Sequence, residues 1–229
     1  MNAKDDSKSL LTKEFLSKIS HHSRSPFNGL LGFSELLLIN QKKIKSESAT
    51  DYLLRINMLA KKAFISSENI ILFLKLFSNN LSSIKSSSIF TSILEQAYSL
   101  NKEAFKIKNI EFVRSTETDF TINCDAFLTG NIFSNIISKS LKQCDENSKI
   151  IFESKIVKQK RLISISYTGM PIDSETVRVF FKDKDSKIDS FAPELDIELW
   201  ICLNLANIQE MNFKVSFGKN NSTTFSLEI

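Results

Sequence analysis

Apolar or seam-type positions recur between residues 15 and 38 with gaps of four and three, at Phe15, Ile19, His22, Pro26, Leu30, Phe33 and Leu37. At roughly 100° per residue they share one stripe of a helix, which predicts a helix packed against a neighbour. Phe27, Leu31 and Leu38 make a second apolar face on the same segment. Asn40 to Ser48 is polar and reads as a hairpin loop. Leu53, Ile56, Ala60, Ala63, Ser67, Ile70, Leu74 and Phe77 repeat the three-four spacing and predict a second helix. Two helices cannot cover all of this apolar surface. The pattern therefore predicts a homodimer whose hairpins form a four-helix bundle.

Ser82 to Ser88, a serine-rich run, breaks the composition and divides the chain into a helical hairpin at residues 1–85 and a second domain at residues 86–229. Beyond the break, the periodicity predicts a helix over Ile93–Lys108, strands at Ile110–Arg114 and Phe120–Cys124, and a helix over Ala126–Lys142. Ile150–Val157 and Leu162–Tyr167 read as a strand pair turning at Gln159 and Lys160. A short helix over Ser174–Phe181, a longer one over Leu195–Gln209 and a closing hairpin of Phe213–Phe217 with Thr224–Ile229 complete the order. Mostly antiparallel strands with helices on one face describe an α+β sandwich.

Composition narrows the function classes. The chain has 229 residues, 42% of them hydrophobic and 24% charged, enough to build substantial cores. A net charge of +4 spread over scattered lysines argues against nucleic acid and anionic membranes as partners. No apolar run approaches the roughly 20 residues that cross a bilayer, and the first residues lack a signal-peptide core, so the expectation is a cytoplasmic chain without membrane contact. Cys124, Cys144 and Cys202 are far apart, with no Cys-x-x-Cys spacing; they read as reduced thiols, and no metal site is expected.

The chemistry begins at the first helix. On its wheel His21 points roughly 140° from the seam and meets water, with Ser17 and Ser25 beside it, whereas His22 lies on the seam's edge. Pro26 has no N–H for the carbonyl of His22, so a bend is expected one turn beyond His21. The run Ser20-His21-His22-Ser23-Arg24-Ser25-Pro26-Phe27, followed by Asn28 to Leu37, resembles the H-box of the dimerisation and histidine-phosphotransfer domains of sensor histidine kinases. That resemblance implies that His21 is the phospho-acceptor, with Arg24 and Ser25 placed to position phosphate or a partner. The chain departs from the pattern at His22 and Ser23: a histidine replaces the carboxylate that serves those kinases as general base in autophosphorylation.

Element by element, the second domain is similar to the ATP-binding domain of the same kinases, an α/β sandwich. Asn131 to Lys139 resembles the N-box, in which the residue matching Asn135 would hold Mg²⁺; as an ordinary helical Asn it would instead sit near the surface. Tyr167, Gly169 and Pro171 stand where the family has Asp-x-Gly-x-Gly. Tyr167 can supply neither the carboxylate that receives adenine nor room for the base, and Pro171 removes a donor. Pro193 to Leu199 replaces a glycine-rich phosphate loop, and Glu194, Asp196 and Glu198 would satisfy the helix end themselves and repel a triphosphate. Lys182–Ala192, a charged loop without a glycine hinge, does not resemble a working lid.

The resemblance as it stands implies a pseudo-kinase. His21 would relay phosphoryl groups between the aspartates of response-regulator receiver domains, as in standalone dimeric histidine phosphotransferases. The receiver would bring the Mg²⁺, so no cofactor is expected and ATP binding is not. Two alternatives remain open: the cytoplasmic core of an ATP-dependent sensor kinase, and a dimeric scaffold whose His21 is never phosphorylated.

Overall fold

The computed structural model describes residues 25–39, 45–114, 120–172 and 196–229. His21, Arg24, the 182–192 loop and the short helix expected at 174–181 lie outside the described residues, as does the bend expected beyond His21.

Residues 25–39 are helical (α1) and lie along the first half of α2, Ser46–Phe77. Pro26 is buried, and Leu30, Phe33 and Leu37 are half-buried, so this stripe of α1 packs inward as its spacing predicts. Gly29 lets the two backbones approach: a Cβ there would lie 2.8 Å from Leu59 Cδ1. Phe33 meets the Tyr52 ring at 5.7 Å, and the Arg55 guanidinium lies 5.8 Å from the Phe33 centroid while its Nε bonds Asp51 at 2.8 Å.

On α2 the expected seam divides between a buried and an open face. Leu53, Leu74 and Phe77 are exposed, whereas the buried residues are Ala63, Ile65, Asn69, Leu72, Phe73 and Leu76. The residues after Ala63 lie on another stripe, and Leu72, Phe73 and Leu76 belong to the core of the sandwich. A helix with apolar residues on more than one face leaves the choice of buried face to tertiary packing, and here the larger partner wins. The face left open carries Leu53, Ala60, Ser67 and Leu74 at a seven-residue repeat, interleaved with Asn57, Phe64 and Ile71. With Phe27, Leu31 and Leu38 of α1 at 49%, 61% and 67% exposure, it leaves the hairpin with a broad apolar side.

The sandwich starts inside the serine run, where Ser86–Ile89 (β1) pairs antiparallel with Thr121–Cys124 (β3). The single helix expected over 93–108 is two, α3 at Phe90–Ser99 and α4 at Lys102–Lys108. The break falls where Asn101 Nδ2 donates back to the Ala97 carbonyl at 3.1 Å, a side-chain bond that competes with the helical ladder. The remaining elements are β2 at Glu111–Arg114, α5 at Ala126–Gln143, β4 at Lys149–Val157, β5 at Lys160–Thr168, α6 at Ile197–Ile208, β6 at Asn212–Phe217 and β7 at Ser222–Glu228. The main sheet runs β2-β4-β5-β7-β6; β2 is parallel to β4 and every other pair is antiparallel.

Alternation makes one face of this sheet apolar. Phe152, Ile165 and Phe225 stand in one cross-strand row, and Ile163, Leu227 and Phe213 in the next, all buried under α3, α5 and α6. Phe90 anchors the layer, its ring 4.8 Å from Phe120, 5.2 Å from Phe133 and 5.8 Å from Phe152. The three cysteines are buried and unpaired. Among the described residues no helix is long and apolar enough to cross a membrane.

Phe90→Ala should cost about 3–5 kcal/mol of unfolding free energy, because it empties a fully buried ring site. Phe127→Ala, at an exposed position on α5, should change stability by less than about 0.5 kcal/mol. Urea unfolding of both variants checks this, and similar losses in the two would contradict the packing described.

Candidate functional site

Helix α5 starts at Asp125, whose carboxylate accepts the Leu128 N–H at 3.1 Å. Gln209 holds that cap from α6's far end: its Oε1 accepts from the Asp125 N–H at 2.9 Å and the Thr129 hydroxyl at 3.0 Å. Asn131, Asn135, Lys139 and Lys142, spaced by four, four and three, then form one polar stripe along α5. Each has found a partner within the chain.

Asn131 Nδ2 donates to the Phe127 carbonyl of its own helix at 2.9 Å. Asn135 is 1% exposed, so the expectation of a surface Asn is corrected, and its amide is already committed. Its Nδ2 donates to Asn69 Oδ1 at 2.8 Å, and Asn69 Nδ2 returns a bond to Asn135 Oδ1 at 2.8 Å. This reciprocal pair ties α2 to α5 at depth. An amide so paired has one lone pair of its oxygen and one N–H committed to Asn69. Asn69 was not singled out from the sequence, although an amide amid Ile65, Leu72, Phe73 and Leu76 is the signal of a buried polar tie.

One turn on, Lys139 is 7% exposed and ion-pairs with Asp196, with Glu198 Oε2 at 3.9 Å. Asp196 also caps α6, its Oδ1 accepting the Leu199 N–H at 3.2 Å. Glu198 receives Lys142 at 2.5 Å. Of the carboxylates expected at this helix start, Asp196 and Glu198 have their charge answered by two lysines of α5, while Glu194 lies outside the described residues. The N-terminus of α6, where a phosphate could rest on free N–H groups, is capped by the chain itself.

Tyr167 extends the buried row Ile150-Tyr167-Thr223 of the sheet and is 2% exposed. Its ring lies 6.3 Å from Phe225, and its hydroxyl makes long bonds to the Met170 carbonyl at 3.3 Å and Gln143 Oε1 at 3.4 Å. Burial pushes the hydroxyl's pKa up. The aromatic ring is buried at the position where the resemblance would put a carboxylate. Gly169 has a structural reason to be glycine: its φ is +153°, and a Cβ would sit 2.2 Å from the Gln143 carbonyl oxygen. Pro171 is exposed just beyond it. Of the H-box residues only Ser25 onward is described; Ser25 is exposed at the start of α1.

A five-stranded sheet covered on one face by helices, reached through a helical hairpin, is the architecture of histidine-kinase ATPase-type domains. The fold is shared with ThkA histidine kinase, solved in complex with the response regulator protein TrrA: the TM-score is 0.57 at 18% identity, covering 99% of this chain and 64% of that one. In sequence the chain resembles the sensor protein GacS of Pseudomonas syringae pv. syringae, 27% identical over 180 residues, 76% of this chain and 20% of that protein. It is also 26% identical over 206 residues to the aerobic respiration control sensor protein ArcB homolog of Haemophilus influenzae, covering 86% of this chain and 61% of that one. It spans less than two thirds of either relative's length, and no family model matches it. The chain resembles the cytoplasmic core of sensor histidine kinases.

Asn69→Leu should cost about 1–3 kcal/mol, since it leaves the Asn135 amide buried without its partner. The double variant Asn69→Leu/Asn135→Leu should recover part of that loss. A double-mutant cycle by chemical denaturation measures the coupling; strictly additive losses would show that the pair is not formed.

Proposed function

We propose that this chain is a two-component phosphotransfer module in which His21 accepts and donates phosphoryl groups while the ATPase-type domain serves as structure. The observation that carries the reading is the Asn135 amide paired with Asn69, which engages within the chain the side chain that the resemblance would give to Mg²⁺. The capped start of α6 and the buried Tyr167 point the same way.

In the reaction, an imidazole nitrogen of His21 attacks the phosphorus of a receiver's aspartyl phosphate. A P–N bond forms, the acyl P–O bond breaks, and the aspartate leaves as carboxylate. A second receiver aspartate reverses the step. A carboxylate is a good leaving group and neutral imidazole carries one unprotonated nitrogen near pH 7, so the transfer asks little of a neighbouring base. His22 in place of the family's acidic residue is compatible with relay and unfavourable for autophosphorylation. Arg24 and Ser25 would orient the phosphoryl group or the receiver. The ThkA complex with a response regulator supports a receiver domain as partner.

The second reading, an ATP-dependent kinase core, is favoured by the sequence relatives, which are sensor proteins. Two measurements separate the readings. Incubation with an acetyl-phosphate-charged receiver should label wild type and the His22→Gln variant but not His21→Gln; labelling that survives His21→Gln would overturn the assignment, and no labelling at all would leave the scaffold alternative. Calorimetry with ATP and Mg²⁺ should give no saturable heat at micromolar nucleotide, and saturation there would establish the kinase reading instead.

The apolar residues left open on the hairpin support a homodimer, because Phe64 and Ile71 at 54% and 46% exposure share a helical face of α2 with Leu53 and Leu74, and Leu31 is exposed on α1. Light scattering on the full chain should give twice the monomer mass of 26.1 kDa. A monomer at tens of micromolar would remove the dimer from the proposal.

A further inference from the structure

A cavity of about 440 Å³ opens between the end of α3, the last turn of α4, the start of β2 and the turn that leads into β4. It shares no residue with the stripe of α5 or the start of α6. Tyr98, Phe105 and Ile110 form its apolar wall. Tyr98 is held between Phe112 at 5.1 Å and Phe105 at 5.2 Å, so this aromatic surface is fixed in place.

An amide pair and three charges make the rim. Asn109, which caps α4, and Asn147 both stand in the left-handed region, at φ 52° and 56°, a conformation that asparagine tolerates better than most residues. Asn109 Nδ2 donates to Asn147 Oδ1 at 2.7 Å. The pair keeps an acceptor, Asn109 Oδ1, and a donor, Asn147 Nδ2, that bond nothing else among the described residues. Glu111 meets Lys149 at 3.0 Å, an exposed and therefore weak pair that leaves a carboxylate oxygen open. Lys106 has neither a hydrogen bond nor an ion pair among the described residues.

Glu111 would repel a plain anion here, and Lys106 with Lys149 would repel a plain cation. A zwitterion meets both signs at once. We infer that this cavity binds a free α-amino acid with a large apolar side chain. Lys106 and the Asn147 amide take its carboxylate, Glu111 and Asn109 Oδ1 take its ammonium, and its side chain lies on Tyr98, Phe105 and Ile110. The volume falls within the range of ligand pockets, roughly 300 to 1,000 Å³, and an apolar wall with a few polar groups is their ordinary make-up. None of these residues takes part in the relay proposed for His21, and the inference does not rest on that reading.

Calorimetric titration of the full chain with L-phenylalanine tests it, beside three compounds that each lack one feature. N-acetyl-L-phenylalanine has no ammonium, L-phenylalaninamide no carboxylate and L-alanine no large side chain. L-phenylalanine should give saturable heat, and each of the three should bind at least about tenfold more weakly, the scale of one charge-assisted bond. Lys106→Met should weaken L-phenylalanine binding by a similar factor, whereas Lys106→Arg keeps the charge and should retain most of it, which guards against a misfolded Met variant. Lys102→Met removes the same charge from an exposed position at the start of α4 and should change affinity by less than about twofold. Equal affinity for the N-acetyl compound, no saturable heat with L-phenylalanine, or equal weakening by the two Met variants would overturn the proposal.

Discussion

Everything in this structure that bears on function turns on how the second half of α2 is buried. Ile65, Asn69, Leu72, Phe73 and Leu76 press against α5 and α6, with Phe73 and Trp200 ring to ring at 5.1 Å. Apolar burial of this kind supplies the affinity, and the Asn69–Asn135 amide pair supplies the register, because two buried amides tolerate no other alignment without leaving donors unpaired. Lys61 adds a tie at the other side of α2, bonding Glu103 at 2.7 Å and the Ser99 carbonyl at 2.9 Å. The same docking engages Asn135, the residue of α5 that the resemblance would give to a metal ion.

The polar stripe of α5 ties the helices of the sandwich to one another and to the hairpin. Asn135, Lys139 and Lys142 remain on one helix face, and the start of α6 remains opposite them. Their partners in this structure are residues of the chain. Ion pairs of this sort are worth little at a surface, but Lys139 is nearly buried, and removal of Asp196 would leave an uncompensated charge.

Most elements were legible in the sequence because their periodicity is strong: the alternation of Ile150, Phe152, Ile163, Ile165, Phe225 and Leu227, the apolar face of α5, and the inner stripe of α1 at Pro26, Leu30 and Phe33. Three features were not. The break at Asn101 depends on a local side-chain bond inside a run that keeps helical spacing. β1 hides in serines, since an edge strand largely exposed needs no apolar alternation. The buried face of α2 follows from which partner packs on it, and periodicity alone does not reveal that when apolar residues surround a helix. For the candidate site, the motifs led to Asn135, Lys139, Tyr167, Asp196 and Glu198, while Asn69 gains its role only from three-dimensional proximity.

Helix α2 is 32 residues long without interruption, about 48 Å at 1.5 Å per residue. Its first half is gripped by α1 and its last turns are embedded in the sandwich, upstream of the irregular residues 81–85 that join it to β1. That connector therefore cannot act as a swivel, because the grip precedes it along the chain. A twist applied at the N-terminal end of this helix would reach the sandwich as rotation for as long as its buried turns and the amide pair hold.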